Sequence, residues 1–440
     1  MARRPGLAPD GKRDQRVQTA GQGAERAARR FGGLLWQRDF RLLWIGETIS
    51  AVGNAMAVVG VPLLAVTVLG ASTFAVAALT VAAYLPWLVI ALPAGVWVDR
   101  LSCRPLMIIC DVASVLLYAS LPAAVWAGVL TTGQVAVVAL LAGVANVFFA
   151  TAYQVYLPSL VTAAELIEGN AKLQGSASAA SIGGRAAAGL AAQAVGAAVA
   201  LLFNAASFLI SAACLLSIRA RETHKPSRPV ATARAEVFEG TRFIAHDAYL
   251  RPMTVYATVS NLAYGGSTAL VVVFLVRVVG FSPAAVGLLM AMGGVGGVVG
   301  ALVVGRLAMR LGTARTLVVS SLGAGLFGLL IPVTGTGGKA AFYVIGSTVA
   351  AAGVVIGNII AASFRQAYCP PTMLGQVTAS MRFLGFGGIP LGALAAGALG
   401  TAFGVRDALW IVLAIDALAS TLLLTPAIRS RKNLPSKPAS

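Results

Sequence analysis

The sequence is short of charge and nearly free of histidine. Only 11% of its 440 residues are Asp, Glu, Lys or Arg, and the two histidines are His224 and His246. Soluble domains carry about 25% charged residues. So little charge cannot cover a water-facing exterior, and it excludes a soluble or disordered chain. The four cysteines, Cys103, Cys110, Cys214 and Cys369, have no CxxC spacing. That rules out the common zinc and iron–sulfur frameworks. They read as buried small hydrophobes or unpaired thiols. The first 40 residues lack an apolar h-region, so no cleavable signal peptide is expected. A nucleotide loop is also missing. GAGLFG (323–328) matches G-x-G-x-x-G, but it lies inside an apolar run with no strand before it.

What is present is apolar. The hydrophobic fraction is 58% and the mean hydropathy +0.84. A bilayer crossing takes about 20 such residues. Twelve segments qualify by eye: 43–69, 74–98, 106–128, 134–157, 176–196, 198–218, 254–276, 284–306, 315–335, 340–363, 381–403 and 408–428. Backbone polar groups must be satisfied inside the bilayer, so each is expected to be a helix. The expected fold class is an all-α integral membrane protein with two six-helix bundles. The expected divisions are a basic tail (1–41), a first bundle (42–218), a linker (219–253), a second bundle (254–428) and a tail (429–440). Within the linker, residues 236–246 read as a short amphipathic helix, with Val237, Phe238 and Ile244 partly on one side, suited to a membrane surface.

The net charge of +18 raises the question of a nucleic-acid partner. Its distribution answers that question. All but four of the 33 Lys and Arg residues fall in the tails, the linker and alternate loops; the four are Arg185, Arg277, Lys339 and Arg406. Such sorting orients a membrane protein and places both termini in the cytoplasm, facing anionic lipid. No nucleic-acid partner is expected. An even number of spans requires both termini on one side, which agrees.

The two halves repeat at an offset near 210. Gly95 and Arg100 align with Gly305 and Arg310, GRAAAG (184–189) with GALAAG (392–397), and Gly196 with Gly404. Six plus six helices in pseudo-repeat is the layout of a rocking transporter with its site between the halves.

At 95–104 the segment GVWVDRLSCR resembles the loop signature G-x-x-x-D-[RK]-x-G-R-[RK] of the major facilitator superfamily, with Ser102 and Cys103 departing from it. The runs 153–176 and 365–397 resemble a narrower group, the twelve-helix proton:drug antiporters that include macrolide-efflux-like and enterobactin-exporter-like proteins. The resemblance implies that Gly95, Asp99, Arg100 and Arg104 form a conformational latch. In physical terms, Gly95 admits a close helix. Asp99 is expected to meet the positive end of span eleven near Gln376–Ser380. Arg100 and Arg104 pair with carboxylates or lipid phosphates. The second copy carries Met309 where the first has Asp99. In the related antiporters a Gly-Pro-x-x-x-Gly-like motif occupies span five; here Gly184 and Gly189 are kept and Arg185 replaces the proline.

Ionisable residues within spans default to functional candidates. They are Glu47, Asp111, Arg185 and Asp416. Glu47 and Asp111 are the proton-coupling candidates. Glu47 reads equally well as an interfacial stem attracted to Arg41 or Arg382. Asp111 matches an Asp early in helix three of the resembled subgroup, but the Arg found there three residues on is Ser114 here, so Asp111 reads more readily as a structural pair that has found a new partner than as a coupling group. Arg185 has three readings: a contact for an anionic substrate group, an internal ion pair, or a lipid-side stem. The family's cavity would fall on spans one, four, seven and ten, which offer Asn54, Asn146, Tyr153, Asn261, Tyr264 and Asn358. Together these suggest an apolar cavity with sparse polar groups, fit for an amphipathic organic solute.

The expected function is secondary active transport with no bound cofactor, driven by a proton gradient: efflux of a small amphipathic molecule such as a drug, natural product or siderophore. A functional monomer in the plasma membrane is expected. The alternatives are an importer or lipid-like solute carrier on the same fold, and a receptor or scaffold that transports nothing.

Overall fold

A computed structural model describes residues 33–90, 94, 97–98, 101–162, 165–220, 230–370 and 373–435. Among these residues the regular structure is entirely helical. The first bundle holds α1 (Arg38–Thr67), α2 (Thr73–Val89), α3 (Cys103–Trp126), α4 (Thr132–Leu160), α5 (Leu166–Val195) and α6 (Ala197–Ser217). The linker carries α7 (Val230–His246). The second bundle holds α8 (Leu250–Val273), α9 (Pro283–Leu311), α10 (Thr313–Gly328), α11 (Ala340–Tyr368), α12 (Leu374–Ala402) and α13 (Val405–Ser420), followed by the short α14 (Pro426–Arg429).

Ten of these helices, with their short 3-10 or π extensions, are long and apolar enough to cross a bilayer. Two of the twelve expected spans fall short. The described part of α2 has 17 residues. In α5, Glu168, Lys172 and Arg185 dilute a helix built largely of Ala and Gly. It also begins ten residues before the expected 176, so the polar stretch that reads as a loop is its first turns.

Packing follows the repeat. α1 lies on α5 and α6, as α8 lies on α12 and α13. α3 contacts α4 and α6, as α10 contacts α11 and α13. The aligned glycines Gly196 and Gly404 adopt nearly the same backbone, with φ 90° and 91°. Only glycine enters that region cheaply, so each breaks the chain between two successive antiparallel helices.

The core shows how the bundles sit together. On the side away from the termini one hydrophobic cluster runs through both bundles, from Leu63 and Leu64 to Leu270, Val286 and Leu409. On the terminal side it divides. Phe40, Met107 and Tyr156 belong to a first-bundle cluster, while Leu250, Phe364 and Ile428 belong to a second-bundle one. Two seams close the far side, α2 with α12 and α5 with α9. Both are built from small residues. A Cβ added at Gly189 would lie 2.4 Å from the Pro283 carbonyl oxygen, and one at Gly397 would lie 2.5 Å from the Ala77 Cβ.

The linker helix belongs to the second bundle. Gly240 seats it against the Gln376 carbonyl and the Ser380 hydroxyl of α12. Ile244 is buried there, whereas Phe238 is 73% exposed. The apolar side expected to lie on the membrane is therefore divided, with Ile244 given to the protein core. Asp247 fixes the helix's far end. Its Oδ1 accepts from the Tyr249 and Leu250 amides, and its Oδ2 accepts from the Tyr368 hydroxyl at 2.7 Å.

Candidate functional site

A cavity of about 500 Å³ opens among α1, α2, α3 and α4, with Thr268 of α8 and Phe386 of α12 completing its wall. Most of its surface is apolar. The polar groups are few, and the sequence-derived candidates Glu47, Asn54, Asp111, Asn146 and Tyr153 are among them.

Glu47 stands on the third turn of α1, and Asp111 on the third turn of α3. The two carboxyl groups lie close enough to interact. The Tyr153 phenol on α4 shares Glu47's surroundings. Asp111 is 1% exposed, with the Ser211 hydroxyl of α6 beside it. One oxygen of each carboxyl, Glu47 Oε1 and Asp111 Oδ2, is buried without a hydrogen-bond partner. Among the described residues no cation pairs with them. Arg41 donates instead to the Leu35 carbonyl, and neither it nor Arg382 pairs with Glu47 among the described residues. Two neighbouring acids in an apolar wall are costly as a doubly charged pair, through desolvation and mutual repulsion.

The remaining candidates lie elsewhere. Arg185, Asn261, Tyr264 and Asn358 do not line this cavity. Asn261 donates to the Ala257 carbonyl one turn back on α8, and Asn358 is exposed on α11. Tyr264 reaches across the bundles to lie beside the Tyr84 phenol on α2. Arg185 has no carboxylate partner among the described residues. Its Nη1 donates to the Met290 carbonyl of α9 at 3.4 Å. Asp416 accepts from Ser260 at 2.5 Å, a tie between α13 and α8.

Of the expected latch, Gly95, Asp99 and Arg100 lie outside the described residues. Arg104 is described. Its Nε and Nη2 donate to the Leu215 and Leu216 carbonyls, each at 2.8 Å. It caps the C-terminal end of α6, where free carbonyls and the helix dipole favour a cation. Two of its donors are thus engaged by backbone oxygens of α6. The α12 segment expected to meet Asp99 carries the linker helix at Gly240.

The sequence reading missed Tyr84, Tyr118, Trp87 and Ser211. Trp87 and Phe386 pack across the bundles with ring centroids 5.7 Å apart. Tyr118 stacks on Phe208. The available signal was a hydroxyl, phenol or indole inside an apolar run, counted on every span and not only on one, four, seven and ten.

The sequence model of the Major Facilitator Superfamily matches residues 43–393. Among solved structures, the nucleoside transporter NupG superposes with a TM-score of 0.68 at 13% identity, over 88% of this chain and 98% of that one. A bacterial homologue of the iron transporter ferroportin, in its inward-facing state, gives 0.65 at 16% identity, over 88% and 98%. A bacterial homologue of the human lysosomal transporter Spinster, inward-facing and unoccupied, gives 0.61 at 14%, over 88% and 97%. No curated protein sequence matches significantly.

Proposed function

The chain belongs to the major facilitator superfamily, and from that premise we propose that it is a proton-coupled exporter of a small amphipathic organic molecule. Transport rather than catalysis follows from the family. The proton coupling rests on one observation: Glu47 and Asp111 lie near one another in the wall of an apolar cavity, each with a buried oxygen that has no hydrogen-bond partner among the described residues. A pair of this kind binds a proton when sealed from water and releases it when hydrated, provided the protein moves between two exposures.

The movement is supported by the divided core. Shared apolar packing away from the termini, and separate packing beside them, is what a rocker leaning one way leaves behind. With the termini in the cytoplasm, as the charge sorting favours, this is the inward-facing state. The solute enters from the cytoplasm, and the empty carrier returns with a proton. The cavity chemistry of apolar side chains, phenols and two amides fits an organic body with few polar groups. The nucleoside and iron in the neighbours' names are cargoes of proteins at most 16% identical, and they do not select a cargo here. A monomer in the plasma membrane completes the reading, as one chain carries both bundles.

Proteoliposomes with an imposed pH gradient test it, using a panel of labelled drugs and siderophores. The expected result is gradient-driven flux of at least one solute, with coupling lost in Glu47→Gln and Asp111→Asn. Flux that ignores the gradient, or coupling that survives both substitutions, refutes it. Uptake only into vesicles oriented as importers would favour the importer reading.

A further inference from the structure

Arg185 is the one basic residue of the spans that neither topology nor pairing explains. It is half-buried on α5, with Nε buried and no acceptor within reach. Its one recorded hydrogen bond, to the Met290 carbonyl, is long at 3.4 Å. No carboxylate among the described residues pairs with it. A guanidinium at membrane depth is expensive to hold unless something compensates it. Its charge reaches the phenols of Tyr84 and Tyr343, and Tyr84 in turn lies beside Tyr264 across the bundles.

The surroundings are those of an anion site left open. A guanidinium offers a planar fork of donors matched to a carboxylate or phosphate. Phenol hydroxyls can turn to donate to the same oxygens. Five helices, α2, α5, α8, α9 and α11, contribute to this cluster, so it sits where the two bundles meet. Tyr84 also lines the cavity described above, which joins the two regions.

Depth separates this charge from the acid pair. Gln37 Nε2 donates to Glu165 Oε1 beside the first turns of α1 and α5, so both helices start at one level. Glu47 lies nine residues along α1 and Arg185 nineteen along α5. At 1.5 Å per residue, Arg185 is about 15 Å further from the terminal side. A ligand's anionic group at Arg185 is thereby held away from the carboxyl pair, with its apolar body towards the cavity.

We propose that Arg185, with Tyr84 and Tyr264, binds the anionic group of the transported solute, so that the cargo is an organic anion and not a neutral or cationic amphiphile. This rests on the transporter reading and sharpens it. The role would be binding at the membrane interior, distinct from the cross-bundle tie to Met290. If that tie were the whole role of Arg185, ligands of every charge would bind alike.

The test uses three probes with one ring and three charges: benzoate, benzamide and benzylammonium. Binding of each radiolabelled probe to the purified full chain in detergent is measured at constant ionic strength, with no pH gradient. A failed coupling experiment therefore leaves this result standing, and the reverse also holds. Wild type is expected to bind benzoate saturably and at least about tenfold more tightly than either other probe. Arg185→Gln is expected to lose that preference while still binding benzamide, which shows that the cavity has folded. Arg185→Lys, keeping the charge without the fork, is expected to retain part of it. A smaller preference, tightest binding of benzylammonium, no saturable benzoate binding, or a preference that survives in Arg185→Gln overturns the proposal.

Discussion

The contact between α5 and α9 can be tested by a single methyl group. In the observed conformation a Cβ at Gly189 would lie 2.4 Å from the Pro283 carbonyl oxygen and 2.7 Å from the Gly287 Cα. These are backbone atoms of a facing helix and cannot swing aside. Ordinary contact begins near 3.4 Å, so Gly189→Ala must drive the helices apart by about an ångström. Overpacking of this size costs about 1–3 kcal/mol. The penalty applies only while the seam is closed, since a carrier that opens on this side parts α5 from α9. A cost near 2 kcal/mol would move the balance between the two states about 30-fold towards the open seam. Spin labels at Val129 and Gly338, in far-side loops of opposite bundles, report the separation by pulsed electron resonance once the native cysteines are replaced. The expected result is a second, longer distance in Gly189→Ala. Gly183→Ala is the control, because a Cβ there meets nothing within 4 Å, and it should leave the distribution unchanged. An unaltered distribution in Gly189→Ala, in a protein that still folds, refutes the assignment of this seam as the far-side gate.

Other outcomes follow from the same geometry. Arg104→Ala removes two 2.8 Å bonds to the end of α6 and should lower stability by about 1–3 kcal/mol, read as a thermal midpoint in detergent; Arg104→Lys should recover part of it. Asp247→Ala strips the cap of α8 and the Tyr368 bond, costing about 1–2 kcal/mol on the same assay. Glu165 is a pH-dependent element of the α4–α5 turn. Its carboxylate accepts from the Thr162 amide and hydroxyl, and from Gln37, which holds its pKa below the ordinary value of 4.5. A depressed acid contributes stability above its unfolded pKa and loses it as pH falls through the folded one. Acid titration should therefore show a loss of stability below about pH 4.5, weak because the group is mostly exposed. Glu165→Gln should flatten that part of the curve, and an identical acid limb in the variant would refute the assignment.

Much of the fold is legible because a bilayer imposes length and apolarity on each helix. The repeat was readable for a related reason, since Gly196 and Gly404 answer the same backbone demand. α5 resisted this reading. Its first turns carry Glu165, Glu168 and Lys172, which bond to Gln37 and the Leu34 amide and form a local ion pair. The contacts to Gln37 and Leu34 join residues more than 120 positions apart, and hydropathy alone does not register them. The site was half legible. Glu47 and Asp111 stand out as acids in apolar runs, but their meeting depends on the packing of α1 against α3 through α6. Arg185 was conspicuous as a charge. Its want of a partner became visible only once Met290, Tyr84 and Tyr343 were placed around it.

The seam between α2 and α12 has a thermodynamic consequence of its own. Ala77, Ala269 and Ala393 are fully buried there beside Gly397. Alanine and glycine have no rotamers to freeze, whereas a longer side chain gives up as much as 1.5–2 kcal/mol on burial. Closing this seam thus loses little side-chain freedom, and opening it regains little. The two conformations can then lie near one another in free energy and interchange without a large entropic step. A carrier that must open and shut on every turnover needs a joint of that kind.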